Sequence, residues 1–197
     1  MLRRAIPRRH LSVAASHASK YSLPSELDVQ HFASVVGGSN VITDEEALAP
    51  YNTDWMRQFH GASRIALRPS STEEISQILS HCNAQKIAVV PQGGNTGLVG
   101  GSVPLSNEVV LSLSRMNQVI SLDEYAGHLV CEAGCVLEAL QAHVAERGYT
   151  MPLDLGAKGS CQVRLLAPRH SHSLVGCSRG QKSARPRTPC RCPRAAL

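Results

Sequence analysis

Pro91-Gln-Gly-Gly-Asn-Thr-Gly-Leu-Val-Gly-Gly-Ser-Val-Pro104 places five glycines in fourteen residues, directly after the apolar run Ile87 to Val90. Glycine permits positive φ and lets a ligand approach the backbone with no Cβ in the way. Successive exposed N–H groups can then form a concave anion site, and Asn95 and Thr96 add side-chain hydrogen-bonding capacity. A buried pyrophosphate needs such an arrangement. Two familiar phosphate motifs fail on spacing. A nucleotide P-loop ends in Gly-Lys-Ser/Thr, and no Lys lies between Lys86 and Lys158. The dinucleotide fingerprint G-x-G-x-x-G opens a helix, whereas Gly94, Gly97 and Gly100 are spaced G-x-x-G-x-x-G and lead into Pro104 and a strand. A long turn between two strands stays open as the plain alternative.

Upstream of the loop, Arg64 to Leu67 reads as a strand ending at Pro69. Ser71-Thr-Glu-Glu74 is a capping box, followed by Ile75, Ile78, Leu79 and Cys82 at helical spacing. With Ile87 to Val90 this makes a strand–helix–strand unit, the signature of a parallel pair buried on at least one face. Ser25 with Asp28 opens a helix carrying Leu27, Val29, Phe32, Ala33 and Val36, with Gly37-Gly38 as its stop. Thr43 with Glu46 opens a short helix ending before Pro50. Tyr51 to Trp55 holds the single Trp and suggests no chemistry. Downstream, Val109 to Leu113, Val119 to Leu122 and Leu129 to Cys131 are strand candidates. Cys135 to Arg147 reads as a helix with Val136, Leu137, Leu140 and Val144 on one face and Gly148 as its stop. The fold class is α+β.

A second run, Met151-Pro-Leu-Asp-Leu-Gly-Ala-Lys-Gly-Ser-Cys161, adds specificity. Together with the glycine loop it resembles the flavin-binding domain shared by the vanillyl-alcohol oxidase and p-cresol methylhydroxylase family. Within that family it resembles the mitochondrial FAD-dependent D-2-hydroxyacid dehydrogenases. Arg115-Met-Asn117 and Ala133-Gly-Cys135 are similar to them too, and the resemblance covers about residues 26–162. It implies an FAD flavoenzyme of the mitochondrial matrix. Such an enzyme oxidises the small-molecule 2-hydroxyacid (R)-2-hydroxyglutarate to 2-oxoglutarate and passes electrons to electron-transfer flavoprotein. It implies further that Gln92, Gly93, Gly94, Asn95, Thr96 and Gly97, with Gly101 and Ser102, hold the FAD pyrophosphate. Pro152, Leu153, Asp154, Leu155 and Gly156, with Ser160 and Cys161, would run near the flavin end. No catalytic residue and no metal ligand can be assigned. Cys161 reads as a small packing residue, Lys158 as a solvated loop charge, and Cys131 and Cys135 as core.

The chain departs from the family pattern after Cys161. The family continues Ile-Gly-Gly-Asn, and this sequence reads Gln162-Val163-Arg164. The half that binds substrate, with its metal ligands and general base, has no counterpart. The expected division is therefore a transit peptide at 1–25, a helical lead-in at 26–59, an incomplete FAD-binding domain at 60–162 and an unrelated, disordered tail at 163–197. Gln-Val-Arg can be encoded across a splice-donor junction, so translation into an intron from Val163 would account for the tail. On this reading the chain is inactive alone. A non-catalytic FAD-binding isoform, a D-lactate or glycolate dehydrogenase fragment and a basic-tailed interaction protein are the alternatives.

Charge patterning agrees with that division. The 197 residues carry a net charge of +5, with 20 Lys+Arg against 15 Asp+Glu. Residues 1–25 hold five basic residues and no acid, and 163–197 hold eight with four Pro and again no acid. The remaining body is therefore at −8, which repels phosphate and speaks against nucleic acid as a partner. The Arg- and Ser-rich, acid-free N-terminus has the composition of a mitochondrial address. No apolar run reaches the roughly 20 residues of a membrane span. Seven Cys with no secretory segment ahead of them read as reduced thiols. The H-x-H and C-x-C spacings of the tail fit structural-zinc templates poorly.

Overall fold

The computed structural model describes residues 21–163 and 172–179. Residues 1–20, most of the expected transit peptide, and tail residues 164–171 and 180–197 lie outside the described residues.

The chain enters through a capped helix, α1 (Glu26–Val36). Ser25 Oγ accepts from the Asp28 N–H, and Asp28 Oδ2 accepts from the Ser25 N–H at 2.8 Å, so the capping box forms as its sequence predicts. Gly37, at φ +84°, ends the helix. Phe32 and Val36 are buried, while Leu27, expected on the same face, points to solvent at 76% exposed. A short β1 (Val41–Ile42) leads into α2 (Glu45–Asn52). Two expectations change here. Asp44 rather than Thr43 is the cap, accepting from the Ala47 N–H at 2.9 Å. The helix also runs through Pro50. Pro50 removes only the bond to the carbonyl of Glu46, an exposed first-turn residue whose carbonyl can turn to water.

β2 (Ala66–Leu67) precedes α3 (Thr72–Gln85). Ser71 Oγ accepts from the Glu74 N–H at 3.2 Å, but the Glu74 carboxylate reaches past Ser71 to the N–H and hydroxyl of Ser70. Ile78 and Cys82 face the core and Leu79 does not, being 44% exposed. Burial pushes the Cys82 thiol up to about 11, with the neighbouring Asp28 charge adding to it, as suits a packing residue. Asp28 also bonds His81 Nε2 at 2.6 Å, which ties α1 to α3.

β3 (Val89–Gln92) and β4 (Val109–Ser112) complete the first sheet, in the order β1-β2-β4-β3. β2 and β3 are both parallel to β4, which lies between them. The strand–helix–strand unit is therefore parallel but not adjacent. The central strand is the fully buried one, and β3, at the sheet edge, is only half-buried until Gln92. Phe32, Val36, Ile65, Leu67, Ile78, Val109 and Leu111 make the core under this sheet.

A second cluster sits beside it. β5 (Val119–Asp123) and β6 (His128–Glu132) form an antiparallel hairpin with an irregularity between Val119 and Ser121. α4 (Leu137–Ala145) and β7 (Tyr149–Thr150) follow. Leu129, Cys131, Cys135, Leu137, Leu140, Val144 and Val163 pack together here, so both cysteines are core residues. Within the expected tail, residues 172–179 are described as two short strands. β8 (His172–Gly176) pairs antiparallel with β6, and β9 (Ser178–Arg179) with β7. β6 offers a free ladder edge that a chain can pair with through main-chain groups alone, whatever its side chains.

Candidate functional site

β2, β3 and β4 run the same way, so their carboxyl ends lie along one edge of the first sheet. In open α/β sheets, ligands bind outside that edge. The glycine loop leaves the sheet there, from Gln92. Among the described residues, no main-chain N–H from Gly93 to Gly101 has a hydrogen-bond acceptor. Buried or half-buried N–H groups are nearly always paired, and Gly93 to Gly97 are half-buried, so their unpaired donors suit a site for an anionic group. Asn95 at φ +52° and Gly100 at φ +68° turn the chain through the left-handed region. Gly97 and Gly101 face open space, with nothing within 4 Å of a Cβ built on either.

The second motif comes to the same place by its C-terminal end. A Cβ on Gly94 would stand 1.7 Å from the Ser160 carbonyl oxygen, and one on Gly93 would stand 3.1 Å from Gln162 Oε1. Ser160 and Cys161 therefore abut the loop. They are held by α4, whose first N–H groups bond back to this run: Leu137 to the Cys161 carbonyl at 2.9 Å and Glu138 to the Lys158 carbonyl at 3.1 Å. Cys161 is buried and Lys158 is exposed. Pro152, Asp154 and Gly156 lie on an exposed stretch, while Leu153 and Leu155 pack on the second core. No hydrogen bond joins Pro152 to Gly156 with the glycine loop among the described residues.

Two features escape the sequence reading. Gln162 brings a buried, unpartnered amide oxygen against Gly93. The side-chain O and N of an amide are assigned rather than seen. The reverse orientation would aim an NH2 donor from this spot. The only available signal was its position just after the second motif. The other feature is the segment from Tyr51 to Ala62, which folds over the loop. Asp54, 2% exposed, organises it by accepting from the N–H groups of Met56, Gln58 and Phe59 at 3.2, 2.7 and 2.8 Å. Burial pushes its carboxyl up, but the bonds from Phe59, Gln58 and Met56 outweigh that and hold it below the usual aspartate range.

FAD suits the donor set at the loop. A pyrophosphate carries several acceptor oxygens and negative charge, and the loop offers a run of unpaired N–H groups with glycines that leave room to approach. Cys131 is pushed well up by its hydrogen bond with Cys135 and by burial.

Comparison with known proteins agrees. Residues 63–164 match the family described as FAD binding domain. The chain is 50% identical over 161 residues to the probable D-2-hydroxyglutarate dehydrogenase, mitochondrial, of Oryza sativa subsp. indica, covering 80% of this chain and 29% of that protein. It is 55% identical over 143 residues to the D-2-hydroxyglutarate dehydrogenase, mitochondrial, of Rattus norvegicus, covering 73% and 26%. The chain thus spans under a third of the length of these relatives. Among solved structures, p-cresol methylhydroxylase with substrate bound superposes with a TM-score of 0.61 at 23% identity, over 68% of this chain and 27% of that one, a likeness of fold. A mixed α/β scaffold with a pyrophosphate-sized row of open donors, sequence identity near one half to mitochondrial dehydrogenases and a matched domain of 63–164 converge: the chain belongs to the FAD binding domain family of flavoprotein oxidoreductases, as a homologue of part of D-2-hydroxyglutarate dehydrogenase.

Proposed function

We propose that this chain forms the cofactor-binding part of an FAD-dependent dehydrogenase that oxidises (R)-2-hydroxyglutarate to 2-oxoglutarate in the mitochondrial matrix, with electron-transfer flavoprotein as the electron acceptor. The row of unpaired N–H groups from Gly93 to Gly101 supports the cofactor part of this reading, and the identity to mitochondrial D-2-hydroxyglutarate dehydrogenases supports the rest. On it, Gly93, Gly94, Thr96 and Gly97 with Gly101 lie along the pyrophosphate, and Ser160 and Cys161 line the path toward the flavin ring. The expected domain limits, 60–162 for cofactor binding and 26–59 for the lead-in, go with it. FAD, when bound, takes up the electron pair that leaves the hydroxyl-bearing carbon. This chain's own residues bind and orient it: the loop neutralises the phosphates, and Ser160, pressed on Gly94, keeps the second run in place.

On the family resemblance, the groups that grip and deprotonate the hydroxyacid would lie in the parts of the relatives that this chain does not match. We therefore expect the 197-residue polypeptide by itself to bind FAD without turning over substrate, as a non-catalytic flavin-binding form. Titrating the purified chain with FAD, then adding (R)-2-hydroxyglutarate under anaerobic conditions, tests both parts. A bound flavin spectrum that the hydroxyacid leaves unbleached is the expected result. No flavin uptake would sink the cofactor reading, and bleaching would sink the claim of inactivity.

A further inference from the structure

Three side chains expected at the pyrophosphate are engaged elsewhere. Asn95 donates from Nδ2 to the Thr53 carbonyl at 2.8 Å, and its Oδ1 accepts from Ser102 Oγ at 2.7 Å. Gln92, 3% exposed, donates from Nε2 to the carbonyls of Tyr51 and Ser102, both at 2.9 Å. Gln92 and Asn95 therefore reach residues 50–53, where α2 ends, and Ser102 braces both of them from within the loop. That segment is itself pinned. Asn52 and Ser63 exchange two bonds, each of 2.9 Å. The Gly61 N–H bonds the Asn52 carbonyl at 2.6 Å, and the Ala62 N–H bonds the Pro104 carbonyl at 2.9 Å. At the far end of the loop the ring of Phe59 lies against Gly100, where a Cβ would stand 2.7 Å from it.

We propose that residues 50–62 are a positioning strap, and that the side chains of Gln92, Asn95 and Ser102 act on FAD through it: they fix the shape of the N–H row before the cofactor arrives and do not themselves touch the pyrophosphate. This rests on the FAD reading above. An anion-binding row needs its amides aimed at one point, and Asn95 sits in the left-handed region, where the chain needs support. Tying that residue to Thr53 and Ser102 spends the ordering cost within the fold, so less is charged to binding. Thr96 differs from these three. Among the described residues its hydroxyl has no partner, which leaves it free to meet a phosphate oxygen.

The test uses the full chain, free and with FAD, with affinity read by flavin fluorescence and the loop read by amide NMR or hydrogen exchange. Asn95→Gly keeps the backbone conformation and loses both side-chain bonds. It should weaken FAD about tenfold and, in the cofactor-free chain, disturb the amides of both the loop and Thr53. Ser102→Ala, a milder change, should do the same to a smaller degree and covers the case in which Asn95→Gly does not fold. Thr96→Val should weaken FAD while leaving the cofactor-free amides unchanged. Loss of affinity in Asn95→Gly or Ser102→Ala with undisturbed cofactor-free amides would make these residues direct ligands and overturn the proposal, as would unchanged affinity. A wild-type chain that takes up no FAD fails earlier, at the cofactor reading, and takes the strap's role with it.

Discussion

Gly94 is pressed against Ser160 so closely that a Cβ on the glycine would stand 1.7 Å from the serine carbonyl oxygen. This contact joins the two motifs that the sequence singles out, through main-chain atoms held by β3, which ends two residues before Gly94, and by α4, which bonds the Lys158 and Cys161 carbonyls on either side of Ser160. Gly94→Ala should therefore cost about 3 kcal/mol of stability, the upper part of the range for overpacking. Gly97→Ala, with nothing within 4 Å of its Cβ, should leave the fold within about 0.5 kcal/mol of wild type. Thermal or urea melting of the two variants checks this. Equal losses in both would remove the contact from the account.

Asp54 gives the strap a pH dependence with a definite sign. Its folded-state pKa is lowered, so its contribution is complete above the ordinary aspartate value and is lost as pH falls through the lower folded one. Asp54→Asn should be less stable than wild type at neutral pH, and the gap should close on acidification. Melting temperatures of both proteins from pH 7 down to about pH 3 would show it. A gap that stays constant would mean that the carboxylate charge is irrelevant to the turn.

Much of this architecture is legible in the sequence where the cause is local. The Ser25–Asp28 box, the Ser71 cap and the glycine stop after α1 depend on residues within a few positions of each other, and all three occur. Errors begin where a remote partner chooses. Asp44 caps in place of Thr43, and Leu27 and Leu79 sit at helical spacing on faces that nothing covers. β4 slips between β2 and β3 because pairing partners are set by the whole sheet. At the site, the glycines announce a loop, but the carbonyls of Tyr51 and Thr53 that hold it are main-chain groups every residue possesses, so no side-chain pattern marks them. The strand at 172–176 is invisible for the same reason.

The Asp28 carboxylate works on two sides at once, bonded to the N–H and hydroxyl of Ser25 in the cap of α1 and to His81 across to α3. Asp28→Ala loses both and should cost about 2 kcal/mol. His81→Ala loses the bond to Asp28 together with the ring contacts to His31 and Phe32 but keeps the cap, so α1 should stay helical by circular dichroism where Asp28→Ala frays it. Equal helix content in the two variants would show that the cap contributes nothing.

Phe32 is fully buried in the first core and meets the His81 ring edge-on at 5.5 Å between centroids. Phe32→Ala should cost about 3–5 kcal/mol. Because the cluster around Leu129 and Leu140 is separate, hydrogen-exchange probes of α4 should respond less than those of α1 and α3. A uniform response would mean that the two clusters melt as one.

Those two clusters meet along a seam, and the glycine loop lies on it: Gln92 anchors in the first sheet, while Ser160 and Cys161 hang from α4 in the second cluster. A molecule lying along Gly93 to Gly97 would touch both sides together and act as a rivet. Removing it would lower more than local order, since each half would regain freedom to shift against the other.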